Sequence, residues 1–406
     1  MLRYIVNTTQ QLEITHLEIK RIPTVTDILT FSWEEYANSH ETREVERQEV
    51  QKALSCRSDR VFTYQCTECK ETVYQLLGCN SRLCSRCGKR YNDQWAVSLS
   101  KAMFQVPHRH FVLSIPSQLW PYLKADRSLW KDYMDSAMDT CADYFPKIMH
   151  NPGIEPGVIV ILHPFGKDMK FQPHLHIIVT EGGFDGKGRF VPKTFFPARP
   201  FSKTWQYHVL TNLRKAGVPN ALISEMFAKY KGGFYVWVHR AGTIRKPKDV
   251  AKYIGRYVRH PAIANSRITG FDGKTVEFFY ETDNKYNNDD GENAGIVTER
   301  HNIAMPVNDF IAALIQHIPG RQFKMVRYYG AYARRHKRVF KQYASQSSIA
   351  STVQDTIYMT GRKFKPICPN CGGYLVFCGY ETIPPPGDFL HWQPRSDRMV
   401  EWLIRD

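Results

Sequence analysis

The chain has 406 residues, 43% hydrophobic and 23% charged, enough apolar material for a buried core spread over two or three domains, which excludes a disordered chain. Lys and Arg number 55 against 39 Asp and Glu, giving a formal charge of +16 and a pI near 9.3, a balance that favours a polyanionic partner such as nucleic acid. There is no apolar run of about 18 residues and no basic-then-apolar start, so neither a membrane partner nor secretion is expected; in a cytosolic setting the ten cysteines read as metal ligands or buried thiols, not disulfides.

Residues 33–55 are polar, charged and free of Pro and Gly, and predict a surface helix within an N-terminal arm spanning 1–55. Six of the ten cysteines fall between 56 and 90, in a stretch with little apolar material of its own, which predicts a small metal-organised domain over 56–95. A helix should follow it. The run HFVLSIP, closed by Pro116, reads as a buried strand near the start of a main domain over 100–345. Beyond a helical stretch at 117–149, GVIVILHPF and FQPHLHIIVTEGG are two strands joined by GKDMK, an antiparallel hairpin with a five-residue loop. Helices are expected near 201–216 and 219–230, a strand at GGFYVWVHR, a helix at KPKDVAKYIGRYVRH stopped by Pro261, a strand at VEFFYETD and a loop at 286–295. Residues 321–341 carry eight Lys or Arg and no acid, interleaved with Phe and Tyr, which suits single-stranded nucleic acid; a solvated helix with aromatics in the core is the competing reading. The tail, 346–406, reads as a separate appendage. Strands and helices without regular βαβ alternation predict an α+β fold on an antiparallel sheet.

On a strand, His174 and His176 share a face with Cβ atoms about 6–7 Å apart, close enough to bind one ion. Pairing the hairpin around GKDMK brings His163 roughly opposite His174, about 5 Å away between Cβ atoms, and makes it the third ligand. A second pair, His108 and His110, flanks the charged Arg109 and reads as a decoy. Tyr253 and Tyr257 lie four apart on one helix face, among Lys252, Arg256 and Arg259. A phenol with a pKa of about 10 needs neighbouring cations, a metal or a base to ionise, and such a group is a nucleophile for a phosphodiester. Cys66-x2-Cys69, fourteen residues, then Cys84-x2-Cys87 approaches a four-cysteine zinc pattern, with Cys56 and Cys79 as further or alternative ligands. In the tail Cys368, Cys371 and Cys378, with His391, are candidates for a second zinc site.

In the order of these parts the chain resembles the two-tyrosine transposases of rolling-circle insertion elements, the insertion-sequence-91 family of the HUH endonuclease superfamily. The resemblance rests on the cysteine region 56–87, the strand HFVLSIP, the block LHPFGKDMKFQPHLHIIVTEGG, the helix YIGRYVRHPAIANSRI and the block HIPGRQFKMVRYYGAYA. It implies a transposase zinc-binding domain followed by an HUH palm, a central antiparallel sheet flanked by helices. It further implies that His174 and His176 hold a catalytic Mg or Mn ion, that Tyr253 and Tyr257 are the nucleophiles, and that a prokaryotic, nucleoid-associated enzyme nicks and rejoins single-stranded DNA at element ends through 5′-phosphotyrosine. DNA contacts are expected from Lys252, Arg256, Arg259, Arg327, Arg334, Arg335, Lys337 and Arg338. A rolling-circle replication initiator or relaxase shares the catalytic parts, a non-catalytic zinc-ribbon DNA-binding protein shares only the cysteines, and a tri-histidine zinc hydrolase would dispense with the tyrosines. Oligomeric state, recognised sequence and target are left open.

Overall fold

The structure is a computed structural model and describes residues 22–56, 60–76, 78–79, 81–239, 262–285, 296–336, 339–340, 343, 367–368 and 370–382. The single helix expected over 33–55 is two helices, α1 (Val25–Ser39) and α2 (Glu44–Leu54). Thr24 starts α1 with a capping box: the Asp27 amide donates to Thr24 Oγ1 at 3.2 Å and the Thr24 amide to the Asp27 carboxylate at 2.9 Å. His40, in extended backbone, ends it. Nor is this a free arm. Ile28, Leu29 and Val50 share a buried core with Phe278, Phe310 and Leu314, and Arg43 donates to the Ile318 carbonyl at 2.7 Å.

Next come β1 (Arg60–Cys66), β2 (Thr72–Leu76) and α3 (Ser85–Ala102), then β3 (His108–Ser114), α4 (Trp120–Ala125) and α5 (Leu129–Met149). The expected hairpin is β4 (Gly157–Phe165) and β5 (Phe171–Thr180), with the Gly166 amide bonded to the Lys170 carbonyl across the loop at 3.0 Å. A short ribbon, β6 (Gly182–Phe184) and β7 (Phe190–Pro192), precedes α6 (Ala198–Lys215), α7 (Asn220–Lys229) and β8 (Val236–Val238). The central sheet runs β12-β4-β5-β3-β8, where β12 is Val326–Gly330, and every neighbouring pair is antiparallel. This is an α+β architecture.

Period-two alternation gives the sheet two different faces. Val158, Val160 and Leu162 of β4 and Leu175, Ile177 and Val179 of β5 pack under Trp130, Tyr133 and Phe145 of α5 and Trp205, Val209 and Leu213 of α6. On the opposite face Ile159, Ile161 and Ile178 meet Leu99 of α3 and the adjacent Met103. The same alternation puts His163, His174 and His176 on this second face, beyond the apolar patch that α3 covers.

Three features depart from the sequence reading. A second antiparallel sheet, β9 (Ile268–Phe271), β10 (Thr275–Lys285) and β11 (Ile296–Pro306), is followed by α8 (Val307–Ile315); only β10 is legible, because Glu299, Arg300 and Asn302 of β11 carry no apolar alternation. Within 321–341, where a helix was the alternative, the chain forms the edge strand β12 and a short 3-10 turn at Arg334–His336. The tail is not a detached appendage: β13 (Leu375–Thr382) pairs along the whole of β1, giving a small sheet of order β13-β1-β2. No helix among the described residues is long and apolar enough to cross a membrane.

Candidate metal and nucleic-acid site

The β4–β5 register sets His163 directly opposite His174, and strand alternation adds His176 on the same face. One ring nitrogen from each of the three lies within 4.8 Å of the others. His174 Nδ1 donates to the Gln172 carbonyl at 2.8 Å, so its Nε2 carries the lone pair and faces His163 Nδ1 at 3.1 Å. Two nitrogens bound at about 2.1 Å to one ion lie about 3.0–3.4 Å apart, so this pair fits a shared divalent cation. Burial, followed by the adjoining His174, His110 and His163, pushes the pKa of His176 well below the ordinary histidine value; burial also lowers that of His174. Both are thus held neutral, the form in which imidazole is a ligand.

His110, taken from the sequence as part of a decoy, belongs to this cluster. Its Nε2 is 2.9 Å from His176 Nδ1, in a buried contact with the two rings nearly parallel. That occupies Nδ1 of His176 and leaves Nε2 for the cluster. Burial, and then His239, depress the pKa of His110 to about 3. His108, two residues away on the same face, instead bonds Tyr332 Oη at 2.6 Å and is a core histidine. Arg109 points through the opposite face, where its side chain is 6% exposed, pairs with Glu181 at 2.9 Å, donates to the Thr194 carbonyl and stacks on Phe196. The sequence signal for His110 existed only in the alternation of β3, since Val112 pairs with His176 and His110 with Ile178.

The cysteines assemble differently from the expected set of Cys66, Cys69, Cys84 and Cys87. Cys84 and Cys87 join Cys56 and Cys79, whereas Cys66 and Cys69 join Cys368 and Cys371. In the first group Cys56 Sγ is 3.8 Å from both Cys84 Sγ and Cys87 Sγ. Tetrahedral zinc with Zn–S bonds of about 2.3 Å requires an S···S edge of about 3.8 Å, so the spacing fits. Cys56 follows α2, and Cys84 caps the start of α3 with Cys87 in its first turn, where the helix dipole favours thiolate. This group therefore ties α2 to α3, the helix that covers the histidine face. Cys378 belongs to neither group; its Sγ contacts the Val376 carbonyl.

Of the expected DNA contacts, Arg334 and Arg335 are exposed on the turn after β12. Arg327 pairs with Val160, so it lies on the α5 face, away from the histidines, with its guanidinium 5.6 Å from the Phe323 ring centre. The aromatics of this run are divided. Tyr332 and Phe340 sit in a core with Phe104 and Phe184, while Tyr328 stays 41% exposed. Tyr328 lines a groove of about 280 Å³ with Arg82, Tyr91, Trp95, Lys324 and Val326, between α3 and β12. The Leu162 amide bonds the Met325 carbonyl at 2.9 Å, which sets the groove beside the strand that carries His163. Tyr253, Tyr257, Lys252, Arg256, Arg259, Lys337, Arg338 and His391 lie outside the described residues.

Comparison with known proteins agrees with these parts. A family profile described as a putative transposase matches residues 157–339, and one described as a transposase zinc-binding domain matches residues 28–115. The transposase for insertion sequence element IS801 of Pseudomonas savastanoi pv. phaseolicola is 26% identical over 310 residues, covering 72% of each protein. The putative transposase y4qJ of Sinorhizobium fredii (strain NBRC 101917 / NGR234) is 25% identical over 338 residues, 78% of this chain and 81% of the relative. Among solved structures, the origin-recognition/nickase domain of the human bocavirus non-structural protein 1 aligns with a TM-score of 0.25 at 12% identity, over 37% of this chain and 75% of that one. The two profiles and the relatives agree with the order of cysteine region, histidine hairpin and basic strand, and they support a transposase of the insertion-sequence-91 type with an N-terminal zinc-binding domain.

Proposed function

We propose that this transposase nicks and rejoins single-stranded DNA at insertion-element ends, with Tyr253 and Tyr257 as nucleophiles and His163, His174 and His176 as holders of a catalytic Mg or Mn ion. The observation that carries the reading is the convergence of three imidazoles, with ring nitrogens within 4.8 Å of one another, on one sheet face. When bound there, a divalent ion supplies Lewis-acid polarisation of a non-bridging phosphate oxygen. His174 is locked by its bond to Gln172 and His176 by its bond to His110, so both present fixed nitrogens to the phosphate-binding position.

The tyrosine segment follows β8, which edges the sheet two strands from β5. In the proposed reaction one phenolate attacks phosphorus, the P–O3′ bond breaks, and the departing 3′ oxygen takes up a proton. The second tyrosine repeats this on another strand. A free 3′-hydroxyl then attacks the phosphotyrosine, gives up its proton and releases the phenol, so the number of phosphodiester bonds is conserved and no nucleotide hydrolysis is required. The groove lined by Arg82, Tyr91, Trp95, Lys324 and Tyr328 supports a single-stranded substrate, since exposed aromatic faces stack unpaired bases and the cations neutralise phosphate.

The test is incubation of the protein with an end-labelled single-stranded oligonucleotide from an element terminus and Mn or Mg, followed by a denaturing gel. A covalent protein–DNA adduct is expected, and it should vanish when Tyr253→Phe and Tyr257→Phe are combined. An adduct that survives the double substitution removes the tyrosines from the chemistry. Cleavage that never yields an adduct points instead to a water-using hydrolase.

A further inference from the structure

The second cysteine group draws its ligands from opposite ends of the chain. Cys66 Sγ lies 3.4 Å from Cys371 Sγ, and Cys69 Sγ 3.6 Å from Cys368 Sγ, across 305 and 299 residues of sequence. All four sulfurs are within 4.8 Å of one another and all four are free thiols. We propose that these four cysteines form a second structural zinc site that clasps the C-terminal segment onto the N-terminal zinc-binding domain.

The two halves of the site are built alike. Each Cys-x2-Cys closes a tight turn and is followed at once by a residue in left-handed backbone, Lys70 at φ 60° and Gly372 at φ 76°. In each turn, main-chain bonds shape the loop that presents the sulfurs: the Cys66 amide donates to Glu71 and the Cys368 amide to Gly373. The halves are also fitted to each other. A Cβ placed on Gly373 would meet Glu68 Cγ at 2.4 Å and Cys66 Sγ at 3.0 Å, so only glycine lets the second knuckle approach the first. The Thr67 amide and hydroxyl both donate to the Tyr374 carbonyl. From there β13 pairs with β1, from Leu375 opposite Cys66 to Thr382 opposite Arg60.

Among the described residues, little apolar packing holds this sheet beyond the contacts of Phe377 with Phe62 and Tyr64. Its core is Cys66, Val73, Cys368 and Leu375, with Tyr64 against them, while Val376 and Phe377 are each 54% exposed. So small an apolar cluster does not support three strands without a crosslink, and four thiolates in tetrahedral reach are the ligand set zinc takes in structural sites. With the ion in place, everything between Cys69 and Cys368, the histidine sheet included, is closed into a loop. The family profile for the zinc-binding domain ends at residue 115, so its match does not include the second pair of ligands. The inference does not depend on the nicking chemistry.

Two measurements test it on the full-length protein. Metal analysis of the purified chain should give two zinc ions, and Cys368→Ser with Cys371→Ser should give one, with faster amide exchange along β1. One zinc in the unsubstituted chain, or two in the variant, would overturn the site. Should the variant not fold, alkylation of the unsubstituted protein decides. Cys69, Cys371 and Cys378 are all exposed, yet with zinc bound only Cys378 should react quickly, and a chelator should release Cys66, Cys69, Cys368 and Cys371 together. Reaction of Cys371 in the zinc-loaded protein at the rate of Cys378 would refute the clasp.

Discussion

His176 takes its orientation from a side chain on the neighbouring strand. The His110 contact at 2.9 Å is buried, so nothing from solvent replaces it when it is removed. His110→Ala is expected to weaken Mn binding about 10- to 100-fold while leaving the fold intact, with partial recovery in His110→Asn; titration calorimetry showing unchanged affinity would remove His110 from the site. Other buried histidines act on stability. Burial holds His108 and His317 at about pKa 4. Above about pH 6.5 both folded and unfolded chains keep them neutral and their contribution is complete. Between about 6.5 and 4 the unfolded chain binds protons that the folded one refuses, so stability falls on acidification by about 1.4 kcal/mol per pH unit for each histidine. His317→Phe should therefore flatten the dependence of unfolding free energy on pH between 6 and 5 by about that amount; equal slopes in urea titrations would contradict the assignment.

At the scale of elements, β12 and α3 decide how the histidine sheet is closed. Gly330 ends β12 at φ 56°, and a Cβ there would lie 2.0 Å from the Pro156 carbonyl oxygen. Gly330→Ala is expected to cost about 2–4 kcal/mol by chemical denaturation, since backbone must move to accept it. On the other side, Leu99 and Met103, with Trp95 and Ala96 packed against them, lie over Ile159, Ile161 and Ile178. Leu99→Ala should cost about 2–4 kcal/mol, and a loss below about 1 kcal/mol would mean that α3 is not a structural cover for that face. The hairpin β4–β5 was legible because a five-residue loop joins two β-rich apolar runs, which fixes the register as far as His163 opposite His174. β11 was not, because the exposed Glu299, Arg300 and Asn302 interrupt the strand before Ile303 and Met305 reach the core.

Over the whole molecule, metal links regions that packing alone joins weakly. The group Cys56, Cys79, Cys84 and Cys87 anchors the start of α3 and, through it, the cover over the histidine face. Cys87→Ser is expected to lower the melting temperature by roughly 10 °C or more and to make the melt insensitive to added zinc, whereas the unsubstituted protein should respond to chelator and recover with zinc. A melting temperature unmoved by both substitution and chelation would exclude a structural role for that ion. The sequence located the six N-terminal cysteines but paired them by spacing along the chain, and that choice failed for Cys66 and Cys69 because their partners lie some 300 residues away.

The sequence by itself determined what depends on near neighbours: the strand pattern, the hairpin that sets His163 across from His174, the excess positive charge, and the ordered motifs that resemble the insertion-sequence-91 transposases. Tertiary structure alone decided which cysteines share a centre, that His110 steadies His176, that Arg327 faces away from the histidines, and that Arg82, Tyr91 and Trp95 meet Lys324 and Tyr328 in one groove. The physical reason is the range of the interactions. Alternation and turn length act over a few residues and are written in composition, whereas partners 66 to 305 residues apart meet only where strand order and helix docking carry them.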